Sequence, residues 1–143
     1  MIPKFRGLSV EAFNEEEWKY GYLIEDEGYS FIINKVIEAN EQYITIGSWC
    51  PVNPETLGQT TGLKDKNGKE IFEGDVVRQV RTQPTTENEI IIGVVTMIEG
   101  AWLIMNDCEQ LASKLWSETD ENEIIGNIYE NPELLEVQDD TKI

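Results

Sequence analysis

Thr61–Val77 reads TGLKDKNGKEIFEGDVV, seventeen residues that hold two reversals of the chain. Asp65-Lys66-Asn67-Gly68-Lys69 is the first reversal, because Asn and Gly tolerate the positive φ that a hairpin connection demands. Ile71 and Phe72 follow as a short apolar strand. Glu73-Gly74-Asp75 is the second reversal, with Gly74 as its left-handed residue and Asp75 placed to accept a nearby backbone N–H. Val76-Val77 then opens a strand that runs to about Arg81. A Gly-Asp pair at the mouth of a β-branched strand suits a small, strongly bent β-barrel. Gly62, Asp65, Asn67, Gly68, Glu73, Gly74 and Asp75 are therefore read as the structural residues of the motif. Asp65, Glu70, Glu73 and Asp75 also admit a divalent-cation reading, since hard cations take clustered carboxylates, but their spacing matches no EF-hand loop. Turn fixing is the preferred reading.

Outward from this motif the pattern stays β. Toward the N-terminus, residues 11–17 read as a polar loop interrupted by Phe13. Trp18 to Glu25 alternates, with Trp18, Tyr20, Tyr22 and Ile24 on one face. Asp26-Glu27-Gly28 is a turn and Tyr29 to Ile37 its return strand. The aromatics have two readings: a cross-strand ladder that closes a small core, or a contact surface. The ladder is preferred, because acidic neighbours oppose nucleic acid here. Trp18, Tyr20, Tyr22 and, further on, Trp102 are the candidate interface residues. Gln42 to Ile46 reads as a short strand and residues 47–54 as a loop holding Trp49 and Cys50.

Toward the C-terminus, residues 82–89 read as a polar hairpin connection, and as the contact loop if the protein uses one. Ile90 to Ile98 is a dense β-branched strand in which Gly93 marks a bulge or bend. Ala101 to Met105 is its antiparallel partner. Leu111, Leu115 and Trp116 sit at roughly helical spacing, which predicts a short helix or an irregular excursion. Residues 123–129 read as a final strand. Asn131-Pro132-Glu133 is a helix start, with an N-cap, a Pro at the first position and an acid near the positive end of the dipole. The expected fold is mainly β. Residues 1–55 form a hairpin-rich N-terminal subdomain. Residues 56–137 form a small SH3-like or OB-like β-barrel with a short C-terminal helical turn. Residues 138–143 are an acidic frayed tail.

Composition narrows the function. The 143 residues contain no histidine, which removes the commonest general base and transition-metal ligand and excludes Ser-His and Cys-His nucleophile pairs within the chain. Cys50 and Cys108 lie far apart without metal-ligand spacing, and read as thiols in a reducing cytosol. No catalytic, cofactor or metal constellation stands out, and no small-molecule substrate is evident. The expectation is a non-enzymatic protein. The net charge is −17. Residues 99–143 carry twelve acids against two bases, a net of −10. Such a balance repels phosphate backbones and anionic membranes. The apolar runs are too short to span a bilayer, and residues 1–6 lack the apolar core of a signal peptide. Location in the host-cell cytoplasm is the expectation.

Four further pieces accompany the central motif: Ile2-Pro3-Lys4-Phe5-Arg6, Trp18-Lys19-Tyr20-Gly21-Tyr22-Leu23, Pro54-Glu55-Thr56-Leu57-Gly58-Gln59 and the run Ile125 to Leu134, IGNIYENPEL. Together with TGLKDKNGKEIFEGDVV they resemble the YopX-like family of phage and prophage proteins over nearly the whole chain. Gly7-Leu8 depart from the pattern, standing where the family usually has an aromatic. The resemblance implies a phage-encoded protein and carries over no catalytic residues. Three functional readings follow. The first is an accessory protein that acts through protein–protein contacts with itself or with host or phage proteins, as a homo-oligomer. The second is an acidic DNA mimic that occupies a host DNA-binding protein. The third is a nucleic-acid-binding barrel using Lys64, Lys66, Lys69, Arg78 and Arg81, against which four interleaved acids argue.

Overall fold

The computed structural model describes residues 4–10, 17–81, 89–107, 110–116 and 120–135. Eleven strands are found among them: β1 (Phe5–Leu8), β2 (Trp18–Asp26), β3 (Tyr29–Ala39), β4 (Ile44–Val52), β5 (Gly58–Lys64), β6 (Glu70–Phe72), β7 (Asp75–Arg81), β8 (Glu89–Ile98), β9 (Ala101–Asn106), β10 (Leu111–Lys114) and β11 (Asp120–Asn127). Single 3-10 turns occur at Pro54–Thr56 and Pro132–Leu135. The fold is mainly β, as the alternation predicts. Backbone pairing gives one sheet in the order β4-β3-β2-β1-β5-β6 and another in the order β10-β9-β8-β7-β11. The chain divides into two compact units, Met1–Thr60 and Thr61–Ile143, the division falling within β5.

In the first unit, β2 and β3 make the expected hairpin through Glu27 and Gly28, both at positive φ. Gly21 is its corner. Up to this residue β2 pairs with β1, and from Tyr22 onward it pairs with β3. The buried side is built from Leu8, Ile32, Cys50 and Val52. Thr56 ties the 3-10 turn to β1, its hydroxyl accepting from Leu8 N–H and donating to the Asn53 carbonyl. Residues 47–52 belong to strand β4, which corrects the loop expected there. Residues 48–52 pair with Lys35 and with Ser30 to Ile33 on β3, and this long-range ladder outweighs the turn signals of Gly47 and Pro51.

In the second unit, Ile71, Val77, Ile91, Val95, Ile104 and Leu115 form one buried cluster, with Leu63, Trp102 and Ile124 packed against it. The predicted strands over 76–81, 90–98 and 101–105 are all present. Gly93 carries no bulge; it precedes the first pair of the β8–β9 ladder, and a Cβ there would lie 2.6 Å from the Met105 carbonyl oxygen. The ladder shift falls instead between Ile124 and Gly126 on β11. The short helix considered around Leu111 is absent. That segment is β10, antiparallel to β9, because a free strand neighbour supplies more hydrogen bonds than one helical turn could.

The barrel expected over residues 56–137 is corrected to open sheets: among the described residues no backbone ladder joins β10 to β11. Side chains bridge that gap. The Gln79 side chain is fully buried. Its Nε2 donates to the Lys114 carbonyl (3.1 Å) and to Asn122 Oδ1 (3.0 Å). Its Oε1 accepts from Ser113 Oγ at 2.8 Å, while Asn122 Nδ2 donates to the Leu115 carbonyl at 2.8 Å. Bends and β-branched runs are common to open and closed sheets, so local sequence does not decide closure. Gln79→Leu keeps the volume but leaves buried partners without hydrogen bonds. It is expected to cost about 2–3 kcal/mol, read by chemical denaturation.

Candidate functional site

The structure gives the residues of the central motif distinct structural duties. The Asp65 carboxylate is buried and uses both oxygens. Its Oδ1 accepts the N–H groups of Asn67 and Lys69, each at 2.9 Å, which closes the turn. Its Oδ2 accepts the Ile124 N–H at 3.1 Å, and the neighbouring Lys66 N–H donates to the Asn122 carbonyl at 2.8 Å. The β5–β6 turn thereby docks on the outer side of β11 and satisfies backbone groups that an edge strand would otherwise expose. Burial by itself would raise the pKa of Asp65. The N–H donors of Ile124, Lys69 and Asn67, with the nearby Lys69 charge, outweigh burial and hold it below the ordinary value.

Gly68 is at φ +83 and Gly74 at φ +94, the left-handed conformations their turns require. Gly74 is also gripped on both sides: its N–H donates to the Val95 carbonyl, and its carbonyl accepts from Ile128. The buried Asp75 carboxylate accepts the Phe72 N–H at 2.8 Å. Gly62, at φ +80, kinks β5 where the Thr61 hydroxyl donates to Ile71 and accepts from Leu63. Glu73 is half-buried beside Gly74. Asp65 and Asp75 are thus each engaged by backbone donors, and no group of three or more metal-capable side chains occurs among the described residues. Of the basic residues around the motif, Lys66 pairs with Glu123 at 3.7 Å, and Arg81 donates to Ser113 Oγ.

The candidate aromatics do not form one group. Trp102 lies in the second unit, against its core. Trp18 is half-buried, with the Arg6 guanidinium 4.5 Å from its ring centre. Tyr20 and Tyr22 remain 42% and 47% exposed, and Ile24 is exposed beside them. The face that alternation assigns to these residues is real, but it is not the core-facing one, which corrects the reading as a ladder that closes a core. Leu23, between them, is the more buried.

The sequence reading missed the neighbours of this face. Ile24, Phe31, Ile33, Ile46 and Trp49 line an apolar groove of about 240 Å³. Phe31 and Trp49 meet edge to face, with ring centres 5.6 Å apart. Beyond the groove, β3 and β4 continue as a two-stranded ribbon whose residues 34–49 are all exposed, including Ile37, Tyr43 and Ile44. Its tip is held by Asn40, whose Oδ1 accepts from the N–H groups of Gln42 and Tyr43. The available signal was the long uncharged run 42–54 in a strongly acidic chain. Four expectations fall outside the described residues: the polar loop over 11–16, that over 82–88, the surroundings of Cys108, and the tail 138–143. Cys50 is buried, its thiol donating to the Pro51 carbonyl.

The YopX protein family model matches residues 4–136. The chain belongs to the YopX family. Its fold is similar to that in the crystal structure of protein EF1440 from Enterococcus faecalis, at 28% identity and a TM-score of 0.57, with 95% of this chain and 99% of that chain covered. No curated protein matches the chain. The segments that carry the YopX resemblance include both turns of the central motif and the Gly21 corner, where Gly21, Gly68 and Gly74 stand at positive φ. Among the described residues no helix is long and apolar enough to cross a membrane.

Proposed function

We propose that this YopX family member is a phage-type accessory protein without enzymatic activity, acting in the host cytoplasm through contacts with protein, its own copies included. The outward apolar face of β2, β3 and β4 carries this reading. Soluble monomers seldom leave contiguous apolar strand surface in water, and such patches mark interaction sites. The aromatic content of the face is that of an interface centre. The Asp65 and Asp75 carboxylates accept backbone N–H groups in their turns, which supports a structural role for them.

Affinity purification of the tagged protein from nuclease-treated host lysate, washed at low and at high salt, tests the proposal. The expected result is a protein partner or untagged copies retained at both salts, since apolar contacts resist screening. Recovery of the bait alone at both salts would sink the protein-contact reading. The DNA-mimic reading rests on the net −10 of residues 99–143. It predicts instead a host nucleic-acid-binding protein that is lost at high salt.

A further inference from the structure

Strand edges are treated unequally in this protein. The outer side of β11 is covered by Asp65 and Lys66. β10 has only four residues. β4 is the terminal strand of its sheet, nine residues long. Only its end is covered, where Ser9 bridges Val52 and the Val10 N–H donates to Pro51. Along Ile44–Trp49, among the described residues, β4 has a strand on one side only. Proteins usually blunt such an edge with Lys, Pro or a bulge that turns it away. The β3–β4 ladder shifts register between Ile33 and Glu38 beside it, but Ile44-Thr45-Ile46-Gly47-Ser48-Trp49 contains no charge and no proline, and lies within thirteen consecutive uncharged residues, 42–54.

We propose that the outer edge of β4 over Ile44–Trp49 pairs antiparallel with the same edge of a second copy, joining two sheets about a two-fold axis. This rests on the protein-contact reading above and names its surface and its partner. Charge selects the partner. Two copies at −17 each repel one another over most of their surface, and 42–54 is the longest stretch where neither brings a carboxylate. A basic partner would find nothing to pair with there. Antiparallel pairing of identical strands is self-complementary, as a two-fold interface requires. Area agrees: Val36, Ile37, Ile44, Ile46 and Trp49 are each 37–64% exposed. At ~150–250 Å² for a whole aromatic, the ribbon offers several hundred Å², a large part of the ~800 Å² per partner of a stable pair. An isolated two-stranded ribbon is also marginal in water, and a pair would make it four-stranded.

Sedimentation velocity of the full chain across the micromolar range is the test. Wild type is expected to show a concentration-dependent monomer–dimer equilibrium. Ile46→Glu and Ile46→Lys should each weaken association at least about tenfold, through like charges set face to face, while their circular dichroism and thermal transitions remain those of a folded protein. An equimolar mixture of the two should recover a heterodimer. That recovery would not occur if the substitutions merely disturbed the ribbon. A wild type that stays monomeric overturns the proposal, as does dimerisation that the Ile46 variants leave unchanged. In either case a salt-resistant partner in the lysate experiment would keep the protein-contact reading standing, so the two failures are distinguishable.

Discussion

Replacing Asp65 by Ala is expected to cost about 3 kcal/mol of stability, measured by denaturant unfolding followed through tryptophan fluorescence. One carboxylate serves three backbone N–H groups, those of Asn67, Lys69 and Ile124. Hydrogen bonds to a charged acceptor contribute about 1.5–3 kcal/mol each, and orphaned buried donors cost a similar amount, partly relieved by water. Asp65→Asn should cost less, about 1–2 kcal/mol, because its single carbonyl oxygen can still close the turn while the amide nitrogen faces the Ile124 donor. The sign of the pH dependence follows from the lowered pKa. The folded protein holds this carboxylate ionised more strongly than the unfolded chain does. Its contribution is therefore complete above the ordinary value near 3.8 and is lost as pH falls through the lower folded-state value. Wild type and Asp65→Asn should converge in stability as the solution is acidified below that range. A gap that stayed constant with pH would show that ionisation of Asp65 is not what stabilises the turn.

Gly21→Ala is expected to be at least as damaging, at about 3 kcal/mol or more, and to compromise the yield of folded protein. Gly21 sits at φ +153, and a Cβ built there overlaps the Ile33 carbonyl oxygen. That oxygen belongs to backbone opposite the corner of β2, so relief requires parting β2 from β3, not the rotation of a side chain. Gly28→Ala is the natural control. Gly28 lies in the β2–β3 turn at φ +87, and nothing stands within 4 Å of its missing Cβ. Only the left-handed conformation is penalised there, about 1 kcal/mol. Equal effects of the two substitutions on thermal unfolding would refute the account of Gly21 as a corner held by close approach.

These two residues also show how far the sequence reaches. The turn chemistry of Asp65–Lys69 was legible because Asn and Gly meet a local conformational demand that no distant contact changes. The same holds for Gly74, whose left-handed φ was expected and is present. What could not be read was the second duty of Asp65. Its Oδ2 reaches β11, 59 residues away in the chain, and nothing near Asp65 marks Ile124 as a partner.

The candidate interface divides in the same way. Alternation placed Tyr20, Tyr22 and Ile24 on one face, because side chains on a strand point to opposite sides in turn. Which face meets the core was decided by Ile32, Cys50 and Val52, whose burial on the other side left the aromatics outward. Leu111 and Leu115 offered a helical period, yet a four-residue ladder to β9 settled that segment as strand. The bridging of β10 and β11 without a ladder turned on Gln79, a polar residue whose role appears only when Ser113, Lys114 and Asn122 surround it.

By itself, then, the sequence determined the β class, the positions of the tight turns, the acidity and the family pattern, all of which depend on neighbours along the chain. The tertiary structure alone decided which face of β2 is buried, where the sheets stop, and which edge is left open. Those outcomes depend on pairings between strands distant in sequence, and strand periodicity fixes the two faces of a strand without saying what lies against either.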